Sequence, residues 1–205
     1  MTLIQQLNRL LEIGLADVTG RTPAELTACT ADLPDTPGGV LVVHPALATA
    51  HQLAPLLSRS GKPGFVVEDM TDLDQFQPIT GVDVPQNPLY LITEPDRGDD
   101  MRNWSPDEAL PAIRDRGRTP LTIHEGISWL LQNPTILEPN HCFMTIASRK
   151  PSDARTPALW ISGGTGRDGK ENRGAPKVGW CWAGNRHTWL GFASTTQRID
   201  HRPQG

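Results

Sequence analysis

Leucines at positions 3, 7, 10 and 11 recur at helical spacing, so residues 2 to 14 are predicted to form an amphipathic helix. Thr22-Pro23-Ala24-Glu25 sets a capping hydroxyl, a proline at the first helical position and an acidic reach-back residue in order, which starts a second helix. Four consecutive aliphatic residues, Val40 to Val43, read as a buried strand. A helix over about 46 to 59 follows, then strands in GFVVE and PLYLIT. Strands separated by helical or irregular connections predict a mixed α/β first half.

Beyond residue 94 the pattern changes. EPDRGDDMRNW is polar and rich in turn formers, after which Ser105-Pro106-Asp107-Glu108 caps a helix running toward Arg116. Thr122-Ile123-His124-Glu125 repeats that logic and launches a helix through ISWLLQ, which stops before Asn133-Pro134. CFMTIAS, PALWIS, KVGWCWA and HTWLGFAS then give four strand-like segments separated by proline, glycine and asparagine. The predicted class is therefore α+β, with a mixed α/β first half and an antiparallel sheet with a tryptophan-rich hairpin in the second. A length of 205 residues suits one domain. A two-lobe layout would divide it near residue 113.

The stretch GWCWAGNRHTWLGFAS holds three of the six tryptophans. A turn at Gly184-Asn185 would set Trp182 opposite His187 and Trp180 opposite Trp189, so one face would carry all four. Lys177 and Cys181 would alternate onto the other face. Such an indole face serves equally as core or as the wall of a ligand site.

Charge sharpens the division between the halves. Residues 1 to 113 carry six Lys+Arg against sixteen Asp+Glu, and residues 114 to 205 carry thirteen against seven. Either the halves attract each other or the second half meets an anion. With a pI of about 5.8 and no basic helix, nucleic acid is a poor candidate partner. No apolar run approaches the length of a membrane span, and MTLIQQLNRLLEIGLADV lacks a signal-peptide pattern, so a cytoplasmic protein is expected. Cys29, Cys142 and Cys181 are odd in number and lack ligand spacing, which argues against a disulfide framework or a zinc site. No metal or organic cofactor is expected.

The run CF-x5-SR-x3-D-x-R-x-PALWIS, followed by PK-x-GWCW-x-GN-x-HTWLG-x-AS and Arg198, resembles an actinobacterial family of unknown function. RTPLT-x-x-EGI, over residues 118 to 127, is similar too, so the resemblance covers about the last half of the chain. It implies a shared motif and no mechanism. The chain departs from that pattern at GGTGRDGKENRG, where relatives run almost directly into PK, and at His141 and Arg186. A second resemblance, carried by size and by the lack of a familiar enzyme motif, is to the aziridine-forming synthases of actinobacterial azabicycle pathways. It implies expulsion of sulfate from an amino-acid-like substrate as an amine closes onto the carbon, assisted by a partner subunit.

Candidate chemistry gathers in the second half. Arg149, Arg155, Lys177, Arg186 and Arg198 offer guanidinium and ammonium groups for an anion, while Trp160, Trp180, Trp182 and Trp189 offer walls. His187, His124 and Glu125 are the candidate proton carriers. Glu125 is also explained as the capping partner of Thr122, and the helix dipole would favour neutral, proton-accepting His124. Gly164 to Lys170 fits the core of a phosphate loop, but Glu171 replaces the magnesium-binding hydroxyl. That segment reads as a lid or a plain loop. The expectation is a small-molecule enzyme of secondary metabolism, lyase- or synthase-like, that binds a sulfate or phosphate ester and catalyses elimination or ring closure. The alternative is a non-catalytic module that binds a ligand or a protein.

Overall fold

The computed structural model describes residues 1–201. Six helices are α1 (Leu3–Glu12), α2 (Leu15–Thr19), α3 (Pro23–Ala28), α4 (Ala50–Leu53), α5 (Pro106–Asp115) and α6 (Ile123–Gln132). The strands of the first half are β1 (Val40–Val43), β2 (Ser58–Arg59), β3 (Lys62–Pro63), β4 (Phe65–Val66), β5 (Gln77–Pro78) and β6 (Leu89–Thr93). Those of the second half are β7 (Thr119–Pro120), β8 (Cys142–Met144), β9 (Ser148–Arg149), β10 (Arg155–Ile161), β11 (Pro176–Trp182), β12 (Leu190–Phe192), β13 (Ser194–Thr195) and β14 (Gln197–Ile199).

Two sheets enclose one buried helix. The smaller runs β1-β6-β14 and the larger β12-β8-β10-β11-β4. All ten residues of α6 are buried, and it packs on β1 of one sheet and β10 of the other. Phe143, Leu159 and Val178 face the main core, while Cys142, Met144, Ala158 and Phe192 pack against Ala109 and Ile113 of α5 in a second cluster. The class is thus the expected α+β. Each sheet draws strands from both halves of the chain, since β4 closes the larger and β14 the smaller.

Local signals explain the helices. Thr2, Thr22, Ser105 and Thr122 each close a capping box with the residue three positions on. Leu7 and Leu10 of α1 are fully buried. Beside them, Gln6 donates to Gly39 O at 2.9 Å and accepts from Leu41 N at 2.8 Å, and Ser128 Oγ accepts the Val43 N–H at 3.1 Å, so two side chains satisfy the free edge of β1. The helix expected over 46 to 59 is much shorter. Thr49 caps it with Gln52, and Pro55, which lacks an N–H, hands the chain to a single 3-10 turn before β2.

The tryptophan hairpin also differs in partner from the expectation. β11 pairs along its whole length with β10, so Trp182 lies opposite Arg155, Trp180 opposite Pro157 and Lys177 opposite Trp160. β12 instead joins the far side of the sheet, parallel to β8. A turn does form beyond Trp182, but Asn103 N donates to His187 O at 2.9 Å and Arg186 pairs with Glu108. Those contacts carry residues 183–189 away from β11. The seven-residue run of β10 offers β11 a longer ladder than the three residues of β12.

Close approach of α6 to the larger sheet requires Gly126. A Cβ there would lie 2.6 Å from Thr145 Cγ2 and 2.7 Å from Leu159 Cδ1, both in fully buried residues. Gly126→Ala is expected to lower stability by about 1–3 kcal/mol through overpacking, despite its better helix propensity. Urea denaturation checks this, and a stabilised variant would contradict the packing described.

Candidate functional site

The start of α6 presents a histidine to a small enclosed pocket. Thr122 is the N-cap, so His124 stands on the first turn, where the side chain is almost wholly buried. Its Nε2 has no hydrogen-bond partner. Burial pulls its pKa down to about 4, against the opposing influence of the Asp74 carboxylate and the Ala48 backbone, with His44 adding to the depression. At neutral pH the ring is therefore uncharged and able to take a proton.

The pocket, of about 60 Å³, admits a functional group or a few waters rather than a whole substrate. Thr49, Asp74, Gln77, Thr122 and Ser148 supply its polar lining, and Phe76 and Val84 lie among its apolar walls. Asp74 is held by His51, whose Nδ1 lies 3.0 Å from the carboxylate and whose backbone N–H donates at 3.2 Å. Ser148 Oγ accepts the Ile123 N–H at 2.8 Å, fixing the pocket wall to the helix that carries His124. Among the described residues no group of three metal-ligating side chains converges.

A short ribbon separates this pocket from a cationic groove. Gln77 pairs with Arg149 and Pro78 with Ser148, and alternation along β9 sends Ser148 and Arg149 to opposite sides. Ser148 accordingly lines the His124 pocket, and Arg149 lines a groove of about 790 Å³ with Arg114 and Lys150. Gln77 and Pro78 border both spaces. Lys150 is committed to Asp72 at 2.6 Å, whereas Arg149 reaches Asp107 only at 3.9 Å and Arg114 donates to Thr80 O at 3.1 Å. The last two keep donors for a ligand.

Most other candidate cations are locked in carboxylate pairs. Arg155 bonds Asp153 and Asp72, each at 2.6 Å, and its guanidinium, with Lys150, holds the Asp72 carboxyl down at about 2. Lys177 clamps both oxygens of Asp168, at 2.7 and 2.8 Å, beside Trp160. Arg198 and Glu125 form a buried pair with bonds of 2.6 and 2.8 Å. Glu125 also accepts from Tyr90 and from the Thr122 N–H, so it faces neither opening. Glu125 and Arg198, expected among the proton carriers and anion binders, are thus buried against each other and line neither the pocket nor the groove. Arg186 pairs with Glu108 and belongs to neither the pocket nor the groove.

The indoles divide as well. Trp180 donates to Asp69 and packs edge-on against Trp182, while Trp189 stacks on His187 at 4.8 Å. His187 thus stands apart from the His124 pocket and does not join Arg149 and Arg155 around one centre. The phosphate-loop segment forms two 3-10 turns, tied down by Lys177 to Asp168 and by Lys62 to the carbonyls of Glu171 and Arg173. Loop and site therefore part company.

Residues 9–201 match the model of a family of unknown function, DUF5701. The chain belongs to that family. No curated protein and no solved structure matches it. The DUF5701 match spans both halves of the chain, so the acidic part that supplies Asp74 and the basic part that supplies His124 and Arg149 lie within one family region. Among the described residues, no helix is long and apolar enough to cross a membrane.

Sequence reasoning missed Asp74, Ser148 and Arg114. Ser148 was visible as the alternate neighbour of Arg149. Asp74 sits in a single 3-10 turn and its partner His51 is 23 residues away, so it carries no local signal.

Proposed function

We propose that this DUF5701 protein is a small-molecule enzyme acting on an anionic substrate, with His124 as the group that takes a proton. The single observation behind this reading is a neutral histidine with a buried, partnerless Nε2, whose ring lines a pocket that shares its Gln77-Pro78 wall with a cationic groove. Arg149 and Arg114 hold a sulfate or phosphate group on the groove side of the Gln77-Pro78 wall, and the reacting carbon or nitrogen reaches past that wall toward His124. His124 Nε2 removes a proton there, and the electron pair it frees expels the anion, either by elimination or by ring closure. Asp74, fixed by His51, stabilises the imidazolium that forms. No cofactor is invoked.

Release of sulfate or phosphate from sulfated and phosphorylated hydroxy-amino acids tests this reading. His124→Gln is expected to lower turnover about 10²- to 10⁴-fold with little change in binding. Arg149→Ala is expected to raise KM and the inhibition constant for inorganic sulfate by about tenfold. Sulfate inhibition unchanged by Arg149→Ala would remove the groove from the site. The second reading, a non-catalytic ligand- or protein-binding module, rests on the exposed Trp104, Trp182 and Trp189. A protein partner that masks these indoles, with no turnover of any ester, would favour it.

A further inference from the structure

A second cleft lies on the larger sheet, away from His124. Its floor is the start of β8, Cys142, with His141 and Asn140 at the rim, and its walls are Trp160 and Trp189. The strand order explains why the indoles flank it. Trp160 lies one step beyond the Leu159–Phe143 pair of β10 and β8, while Trp189 immediately precedes β12 and accepts the Cys142 N–H at 2.9 Å. The two residues therefore leave strands separated by two ladder spacings, about 9–10 Å. A flat ring between two aromatic walls needs about 7–8 Å.

Each indole is backed by another group. His187 stacks on Trp189, and Lys177 Nζ lies 4.7 Å from the Trp160 ring centre. Trp189 remains 42% exposed, which is high for a side chain whose ring is already stacked on one side. The cleft volume is about 240 Å³, enough for one ring with a small substituent.

Its polar end sets two guanidiniums, Arg97 and Arg102, among the carboxylates of Asp99, 3.6 Å from His141, and Glu138, 3.5 Å from Arg97. His141 touches the guanidinium of Arg97 at 3.3 Å and that of Arg102 at 3.4 Å. Arg97 spends its donors on Asp99, at 2.9 and 3.0 Å, and on Ile136 O. Arg102 is much less engaged. It approaches Asp99 only at 3.9 Å and its side chain is half exposed.

We propose that this cleft binds a planar aromatic ring bearing one carboxylate, the ring between Trp160 and Trp189 and the carboxylate on Arg102. The site is independent of the His124 pocket. Benzoate is the probe, with cyclohexanecarboxylate as its non-planar counterpart, and the six indole N–H signals in NMR are the readout. Trp160 and Trp189 signals are identified by their loss in Trp160→Phe and Trp189→Phe. Benzoate is expected to move these two signals saturably and to leave that of buried Trp129 in place. Cyclohexanecarboxylate, Trp189→Ala and Arg102→Ala should each weaken binding at least about tenfold. His124→Gln should leave it unchanged, which separates this site from the one proposed above. The proposal is overturned by the absence of a saturable shift at about 10 mM benzoate, by equal binding of the saturated ring, or by unaltered binding in Arg102→Ala.

Discussion

Replacing Arg198 by methionine is expected to cost about 3–5 kcal/mol, a large share of the ~5–15 kcal/mol that holds a domain of this size together. The reason is the partner left behind. Glu125 is fully buried at the start of α6, and Arg198 supplies two of the bonds to its carboxylate, at 2.6 and 2.8 Å. The same guanidinium donates to Thr119 Oγ1 and to Pro120 O, tying β14 to β7, the strand that leads into the helix. Without it, Tyr90 and the Thr122 N–H are the remaining partners of a charge that water cannot reach. Glu125→Gln keeps the cap and removes the charge, so the double variant Glu125→Gln/Arg198→Met is expected to recover much of the loss. Urea denaturation of the two variants decides the matter. A single variant that loses under about 1 kcal/mol, or a double variant no better than the single, would show that the buried charge is not what the pair neutralises.

The same pair links the fold to the site. Glu125 closes the capping box that fixes the first turn of α6, and His124 is its neighbour on that turn. His124 was accessible to sequence reasoning for this local reason: Thr122 and Glu125 at capping spacing place the intervening histidine at a helix start. The boxes at Thr22 and Ser105 were equally plain. Thr49 with Gln52 is a weaker signal, because the apolar pattern runs on to either side of it and predicts a helix over 46 to 59 where only Ala50–Leu53 is α-helical.

What lay beyond local signals was pairing between remote segments. Trp182 and His187 are five residues apart, and proximity in sequence favoured a hairpin between them. The sheet instead gives β11 to β10 and sends β12 to the far side of β8. Likewise the acidic and basic halves meet through Asp72 with Lys150 and Arg155, and through Glu108 with Arg186. The charge asymmetry thus reflects attraction within the chain to a large extent. Arg149 and Arg114 are the cations that this pairing leaves best able to serve a ligand.

Between pH 6.5 and pH 4 the protein is expected to lose about 3 kcal/mol of stability through His124 alone. Unfolded, this imidazole titrates near 6.5, and in the folded protein burial holds it at about 4. The unfolded chain therefore binds the proton more readily, so the stabilising contribution is complete above pH 6.5 and is lost as pH falls through that window. Asp74 opposes the depression, His44 supports it, and Glu125 opposes it more weakly. His44 is itself depressed by burial and acts in the same direction, while Asp72, held at about 2, makes its own contribution fall away at lower pH. The difference in unfolding free energy between the wild type and His124→Gln, measured along the pH axis, isolates the first effect from both. It should shrink by about 3 kcal/mol from pH 7 to pH 4. A difference that stays level would mean that the histidine is as accessible to protons as one in water. Under the proposed proton-accepting role of His124, the same burial sets the acid limb: kcat/KM should hold its plateau to about pH 5, where a histidine of ordinary pKa would already be mostly protonated. An acid limb centred near 6.5 would take the proton-accepting role away from His124.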